Sequence, residues 1–134
     1  RFGSDTNALL RRRALEMAEI AGYAAIYKSI RHITHEGEFF RLRSASDPDG
    51  AVFLYVLEDK SEALLFAFRN AAHFTKKPHK VLIYGLAPEK RYEIKSLLTD
   101  FTHPVSGGAA LQNMGLEIPL PKEKCAEMIY FKSI

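Results

Sequence analysis

Between Ala51 and Asn70 the chain reads AVFLYVLEDKSEALLFAFRN, two apolar runs split by Glu58-Asp59-Lys60-Ser61. Runs of this length, rich in β-branched and aromatic residues around a short polar break, predict an antiparallel hairpin. Successive strand residues point to opposite faces. Val52, Leu54 and Val56 therefore share one face, and Phe53, Tyr55 and Leu57 the other. On the return strand Ala63, Leu65 and Ala67 divide from Leu64, Phe66 and Phe68 in the same way. A strand with one wet face alternates apolar with polar, so this pair is expected to be covered on both sides, at the centre of a sheet.

Ahead of the hairpin the periodicity changes. Ser4-Asp5-Thr6 offers N-cap side chains and the next proline is Pro48, so a long helix is predicted from about Thr6 to Thr34. Leu10, Ala14, Met17, Ala21 and Ala24 fall on one stripe at spacings of four and three, and Ala18, Ile20, Ala25 and Tyr27 widen it. Arg12, Glu16 and Glu19 form a narrow wet face. So broad an apolar surface predicts close packing against a partner element. Lys28, Arg31, His32 and His35 gather at the C-terminal end, where cations suit the helix dipole, and Gly37 is the expected C-cap.

The remaining elements are short. Glu38–Arg43 reads as a strand, Ser46-Asp47-Pro48-Asp49-Gly50 as a turn, and Ala71–His79 as a loop. Lys80–Tyr84, Arg91–Lys95, Leu116–Leu120 and Glu127–Lys132 read as further strands. Leu97–Val105 shows no period and is expected to be loop, while Ser106–Met114 has room for a helical turn ended by Gly115. The fold class that follows is mainly β: a Greek-key-like antiparallel β-sandwich of about seven strands over residues 36–134, with one long N-terminal α-helix over residues 1–35.

Composition narrows the partners. A chain of 134 residues builds one core without staples, and nine Phe and six Tyr mark it as globular. The net charge of +3 comes from 19 basic against 16 acidic residues, with no basic cluster tracking an aromatic row, so nucleic acid is not the expected partner. No apolar run approaches the roughly 20 residues of a membrane span, and no secretory signal is visible, so a soluble, cytoplasmic protein is the expectation. The single cysteine, Cys125, excludes an internal disulfide framework. The sequence opens on Arg1, which raises the expectation of a processed chain or of a piece of a longer one.

Candidate chemistry is sparse. Asp47 and Asp49 sit in a turn whose geometry accounts for them. His32 and His35 lie one helical turn apart without an acidic or cysteine partner near in sequence, so the dipole explains them better than zinc does. His73, His79 and His103 read as lone loop histidines and Cys125 as a partly buried thiol. Arg11-Arg12-Arg13 reads as a solvated first turn. Ser106-Gly107-Gly108 lacks the Gly-Lys-Ser/Thr of a phosphate loop, and Ser106 is not flanked as in a nucleophile elbow. The sequence therefore assigns no catalytic, cofactor-binding or metal-binding residue, and no cofactor is expected.

One resemblance spans nearly the whole chain. Tyr27-Lys28, Ile30-Arg31, Gly37 and Arg41-Leu42 are similar to the junction that follows the catalytic barrel in bacterial α-galactosidases of glycoside hydrolase family 36. Glu58-Asp59-Lys60-Ser61-Glu62-Ala63-Leu64 with Phe66 and Phe68-Arg69 resembles the strand pair of that family's C-terminal domain. Gly85-Leu86 with Pro88, Tyr92 and Ile94, and Ser106-Gly107 with Ala110-Leu111, Asn113 and Gly115-Leu116, resemble it too. So do Leu120 and the closing Ile129-Tyr130-Phe131-Lys132. Ala87 departs from the acidic residue usual after Gly-Leu.

The resemblance implies a non-catalytic C-terminal β-domain, with residues 1–35 as the last helix of a (β/α)8 barrel that carries two catalytic aspartates elsewhere. The parent would hydrolyse terminal α-galactosides with retention, without metal or organic cofactor, and the barrel would be the partner. Two other readings stay open: a stand-alone carbohydrate-binding module, opposed by the absence of Trp, and an assembly module that self-associates through the N-terminal helix.

Overall fold

The computed structural model describes residues 24–43, 51–68, 79–97, 101–118 and 126–134, together with Arg12 and Glu16, both helical and exposed. Helix α1 (Ala24–Glu36) leads into β1 (Glu38–Arg43), β2 (Ala51–Val56), β3 (Glu62–Phe68), β4 (His79–Val81), β5 (Arg91–Ser96), β6 (Thr102–Gly107), α2 (Gly108–Asn113), β7 (Leu116–Ile118) and β8 (Ala126–Ser133). Among the described residues there are eight strands, in keeping with the expected count of about seven. Six form one antiparallel sheet in the order β1-β2-β3-β8-β5-β6, and β4 pairs with β7 in a second, two-stranded sheet. The last strand inserts between β3 and β5, so the hairpin becomes interior only when the chain is complete.

The hairpin forms as its pattern dictates. Val56 pairs with Ala63 and Ala51 with Phe68, and nearly every residue of both strands is buried. The two faces feed two separate cores. Val52, Leu54, Val56, Leu65 and Ala67 meet Ile83, Leu111 and Ile118 of the second layer, with Tyr92, Ile129 and Phe131 beside them. Phe53, Tyr55, Leu64, Phe66 and Phe68 meet Ile30 and Ile33 of α1, together with Met128. Tyr55 and Phe66 make an edge-to-face pair with centroids 5.9 Å apart.

α1 ends two residues beyond the predicted boundary. Apart from Arg12 and Glu16, residues 6–23 of the predicted helix lie outside the described residues, as do the stripe side chains of Leu10, Ala14, Met17, Ala21 and Ala24. So do Glu19, the Ser46–Gly50 turn, all of the Ala71–His79 loop before His79, and Cys125. Gly37 does close the helix, its N–H donating to Ile33 O at 2.8 Å, but not as a left-handed cap. A Cβ there would lie 2.3 Å from Ile33 O and 3.2 Å from both the nitrogen and the oxygen of Val56. Close approach of helix and strand, not a positive φ, is what demands glycine. Gly115 is the converse: at φ +84 it ends α2 as expected.

Two expectations need correction. The strand predicted at Lys80–Tyr84 pairs only over His79–Val81, because Ile83 N–H turns to Leu111 O of α2 at 3.0 Å. Leu97–Val105, expected to be loop, holds the start of β6. This edge strand buries one residue, His103, and carries Pro104 at its middle, so it shows no apolar period. Between Tyr92–Ser106 and Ile94–His103 the register slips, and Pro104 and Val105 together face Glu93. Such a bulge is where a strand tolerates a residue without an N–H.

Candidate functional site

β8, β5 and β6 continue the sheet beyond β2 and β3, and on the helix side, past buried Ala126 and Met128, they carry Tyr130 and Lys132 of β8, Glu93 and Lys95 of β5 and Thr102 of β6. Register places Glu62 opposite Lys132 and Lys132 opposite Glu93, a cross-strand row of alternating charge. The next row runs Leu64, Tyr130, Lys95, Thr102. Opposite charges facing one another across antiparallel strands stabilise the pairing modestly. Glu93, Ile94, Lys95, Thr102, His103, Val105, Tyr130 and Lys132 line a groove of about 390 Å³ over these rows.

At the boundary between groove and helix, Glu62 bonds to two side chains. His32 Nε2 of α1 lies 3.0 Å from Glu62 Oε1, and the Tyr130 hydroxyl donates to Oε2. An ionised carboxylate only accepts, so the His32 nitrogen carries the proton in this bond. Burial pushes the Glu62 carboxyl up, but the Tyr130 and His32 bonds, with the Lys132 charge, outweigh it and hold the group below its ordinary 4.5. Burial, then the bond to Glu62, pushes the Tyr130 hydroxyl far above its ordinary value. Tyr130 therefore stays neutral, with its hydroxyl committed to Glu62.

The sequence-level candidates fare differently. His32 is not explained by the dipole alone, since its partner Glu62 arrives from a strand 30 positions away. His35 is exposed. His103, expected in a loop, is buried in β6, where its Nε2 shares a 2.7 Å hydrogen bond with Ser96 Oγ; burial holds the imidazole below its ordinary 6.5. His79 opens β4 rather than lying in a loop. Ser106 Oγ donates only to Pro104 O, at 3.3 Å. Asp47, Asp49, His73 and Cys125 lie outside the described residues, as do Arg11 and Arg13. Among the described residues no group of three His, Cys, Asp or Glu side chains could hold a metal ion. Glu62 and Tyr130 entered the sequence reading only as part of the family resemblance and Glu93 and Lys95 only as strand residues, because single polar residues in strands carry no motif of their own.

Comparison with known proteins places the chain. Residues 51–131 match the family described as the glycosyl hydrolase family 36 C-terminal domain. The chain is 32% identical over 120 residues to alpha-galactosidase Mel36A of Lactobacillus acidophilus, covering 89% of this chain but 16% of that protein. It is 30% identical over 106 residues to alpha-galactosidase AgaA of Geobacillus stearothermophilus, covering 79% of this chain and 14% of the relative. The crystal structure of that AgaA superposes with a TM-score of 0.71 at 29% identity, over 84% of this chain and 15% of the other. The expected fold class holds in these neighbours, and the chain spans under a fifth of each relative's length. It belongs to the glycosyl hydrolase family 36 C-terminal domain family.

Proposed function

We propose that the chain serves as the non-catalytic β-domain of an α-galactosidase-type glycoside hydrolase. The observation that supports this reading is the family match itself: it runs from the first residue of β2 to Phe131 in β8 of this chain, and the relatives it resembles are much longer proteins named alpha-galactosidases. In that reading residues 1–35 contribute the last helix of a (β/α)8 barrel and residues 36–134 the sandwich. α1 is the joint between them. Ile30 and Ile33 are buried against β2 and β3, and His32 reaches Glu62, so the end of the helix is fixed to the sheet. A barrel seated on the rest of the helix would be held at a set angle to the sandwich. Retaining hydrolysis of a terminal α-galactoside uses two carboxyl groups about 5–5.5 Å apart across the sugar, and in this reading both belong to the barrel.

The test is turnover of an aryl α-galactoside by the purified chain, which is expected to match a mock preparation. Turnover that disappears on substituting the chain's own carboxylates, Glu62 or Glu93, would overturn the non-catalytic assignment. Sedimentation of the same preparation over a range of concentrations checks for self-association through the helix.

A further inference from the structure

β6 buries one residue, and that residue is the strand's titratable one. Thr102, Pro104 and Val105 are exposed, Ser106 is half-buried with its Oγ turned back to Pro104 O, and Gly107 has no side chain. His103 alone packs inward, 6% exposed and opposite Ile94. Its Nε2 lies 2.7 Å from Ser96 Oγ, and the Phe101 ring stands edge-on to it with centroids 4.8 Å apart. β6 is also the outermost strand of the sheet, and among the described residues it pairs only with β5, in a register that slips at Pro104 and Val105. Beyond its interrupted backbone ladder, such a strand depends on its one buried side chain for attachment.

That attachment favours a neutral imidazole. In the neutral ring one nitrogen donates and the other accepts, and the Ser96 hydroxyl suits either role at Nε2. Protonation makes both nitrogens donors and sets a charge where burial has removed water. The elements packed closely against β6, β5 and α2, bring no counter-charge to that face. On β5, Ile94, Ser96 and Tyr92 share the face of His103, and the Tyr92 hydroxyl is committed to Lys60 O; Arg91, Glu93 and Lys95 are exposed on the opposite face. α2 (GAALQN) has no titratable side chain. Burial accordingly holds the His103 imidazole below its ordinary 6.5, whereas opening the strand returns the ring to water.

We propose that β6 is an acid-released edge strand: protonation of His103 detaches Thr102–Gly107 from β5 while the strands inside the sheet stay paired. Attachment is complete above 6.5 and weakens as pH falls from 6.5 through the lowered folded value, with an opening constant that rises at most about tenfold per pH unit in that window. Release leaves the backbone of β5 as the new sheet edge, open to pairing with another strand. The device needs the sheet alone, whether or not the chain works beside a barrel.

Amide hydrogen exchange of the chain, followed by NMR at about pH 7.5 and about pH 5.5 and corrected for the intrinsic pH dependence of exchange, tests it. Protection in the β5–β6 ladder is expected to fall about three- to tenfold on acidification. Those amides are expected to exchange faster than the β3 and β8 amides at both pH values and to ignore low urea, as an opening that exposes little surface does. His103→Gln keeps a polar side chain without the titration and is expected to abolish the pH response. A titration of the His103 ring by NMR, with its midpoint below about 6.5, serves as the second measurement should the variant strand stay open at both pH values. Equal protection of the ladder at both pH values overturns the proposal, as does a pH response retained in His103→Gln. So does a ring midpoint at or above about 6.5, or exchange of the ladder that follows urea together with β3 and β8, because β6 then leaves only with the whole sheet.

Discussion

The hydroxyl of Tyr92 donates to Lys60 O at 2.8 Å, joining β5 to the turn of the central hairpin across 32 positions of sequence. The same oxygen accepts Ala87 N–H at 3.1 Å, so one buried phenol holds two turns. Lys60 needs the support, since it is the described non-glycine residue with a positive φ, at 62°. Lys90 Nζ adds a bond to Asp59 O at 2.8 Å.

Tyr92→Phe tests this clamp. The ring keeps its place in the core, while Ala87 N–H and Lys60 O lose their partner. A buried polar group left unsatisfied costs about 1–3 kcal/mol. Lys60 is only half-buried and its carbonyl can recruit water, so the expected loss in a urea melt lies toward the lower end.

The glycines give a paired prediction. Gly37→Ala forces a Cβ onto backbone atoms of both α1 and β2, which cannot move independently, and is expected to lower stability by about 1–3 kcal/mol. Gly107 has φ −78, and a Cβ there would meet only Lys90 O, at 3.9 Å. Gly107→Ala is expected to be neutral or to stabilise by about 0.4–1 kcal/mol through the unfolded chain. Thermal melts of the two variants should move in opposite directions, or the second not at all.

Leu54 and Phe66 occupy the two faces of the hairpin and are fully buried in different cores. Truncating either to Ala is expected to cost roughly 2–5 kcal/mol, because each leaves a cavity between layers that cannot collapse. A denaturant midpoint shift worth less than about 1 kcal/mol for Phe66→Ala would show that α1 does not seal its face of the sheet.

What the sequence made legible was burial with a period. The hairpin showed itself because both faces are apolar, and β5 because Tyr92, Ile94 and Ser96 alternate with exposed Arg91, Glu93 and Lys95. β6 stayed hidden because its strand state comes from pairing with β5, not from its own side chains. Gly37 was placed correctly for a different physical reason. The polar cluster was illegible on principle: Glu62 gains its partners from 30 and 68 positions away, and no local spacing encodes that.

That cluster, with buried His103 and Tyr92 elsewhere in the sheet, makes stability depend on pH at both ends. Glu62 favours its ionised form in the folded chain, so its contribution is complete above its unfolded value of 4.5 and is lost as pH falls through the lowered folded value. Buried His103 favours its neutral form, so the folded state begins to lose ground earlier, as pH falls below 6.5. Tyr130 and Tyr92 favour their neutral forms, so stability declines again as pH rises above 10.0, where the unfolded phenols ionise first. The expected profile is a plateau between about 6.5 and 10 with an acid limb in two parts. Glu62→Gln should flatten the lower part and leave the upper one in place, and His103→Gln the reverse. Urea melts from pH 3 to 11 check this, and an acid limb unchanged in Glu62→Gln would show that the His32 and Tyr130 bonds to Glu62 do not persist in solution.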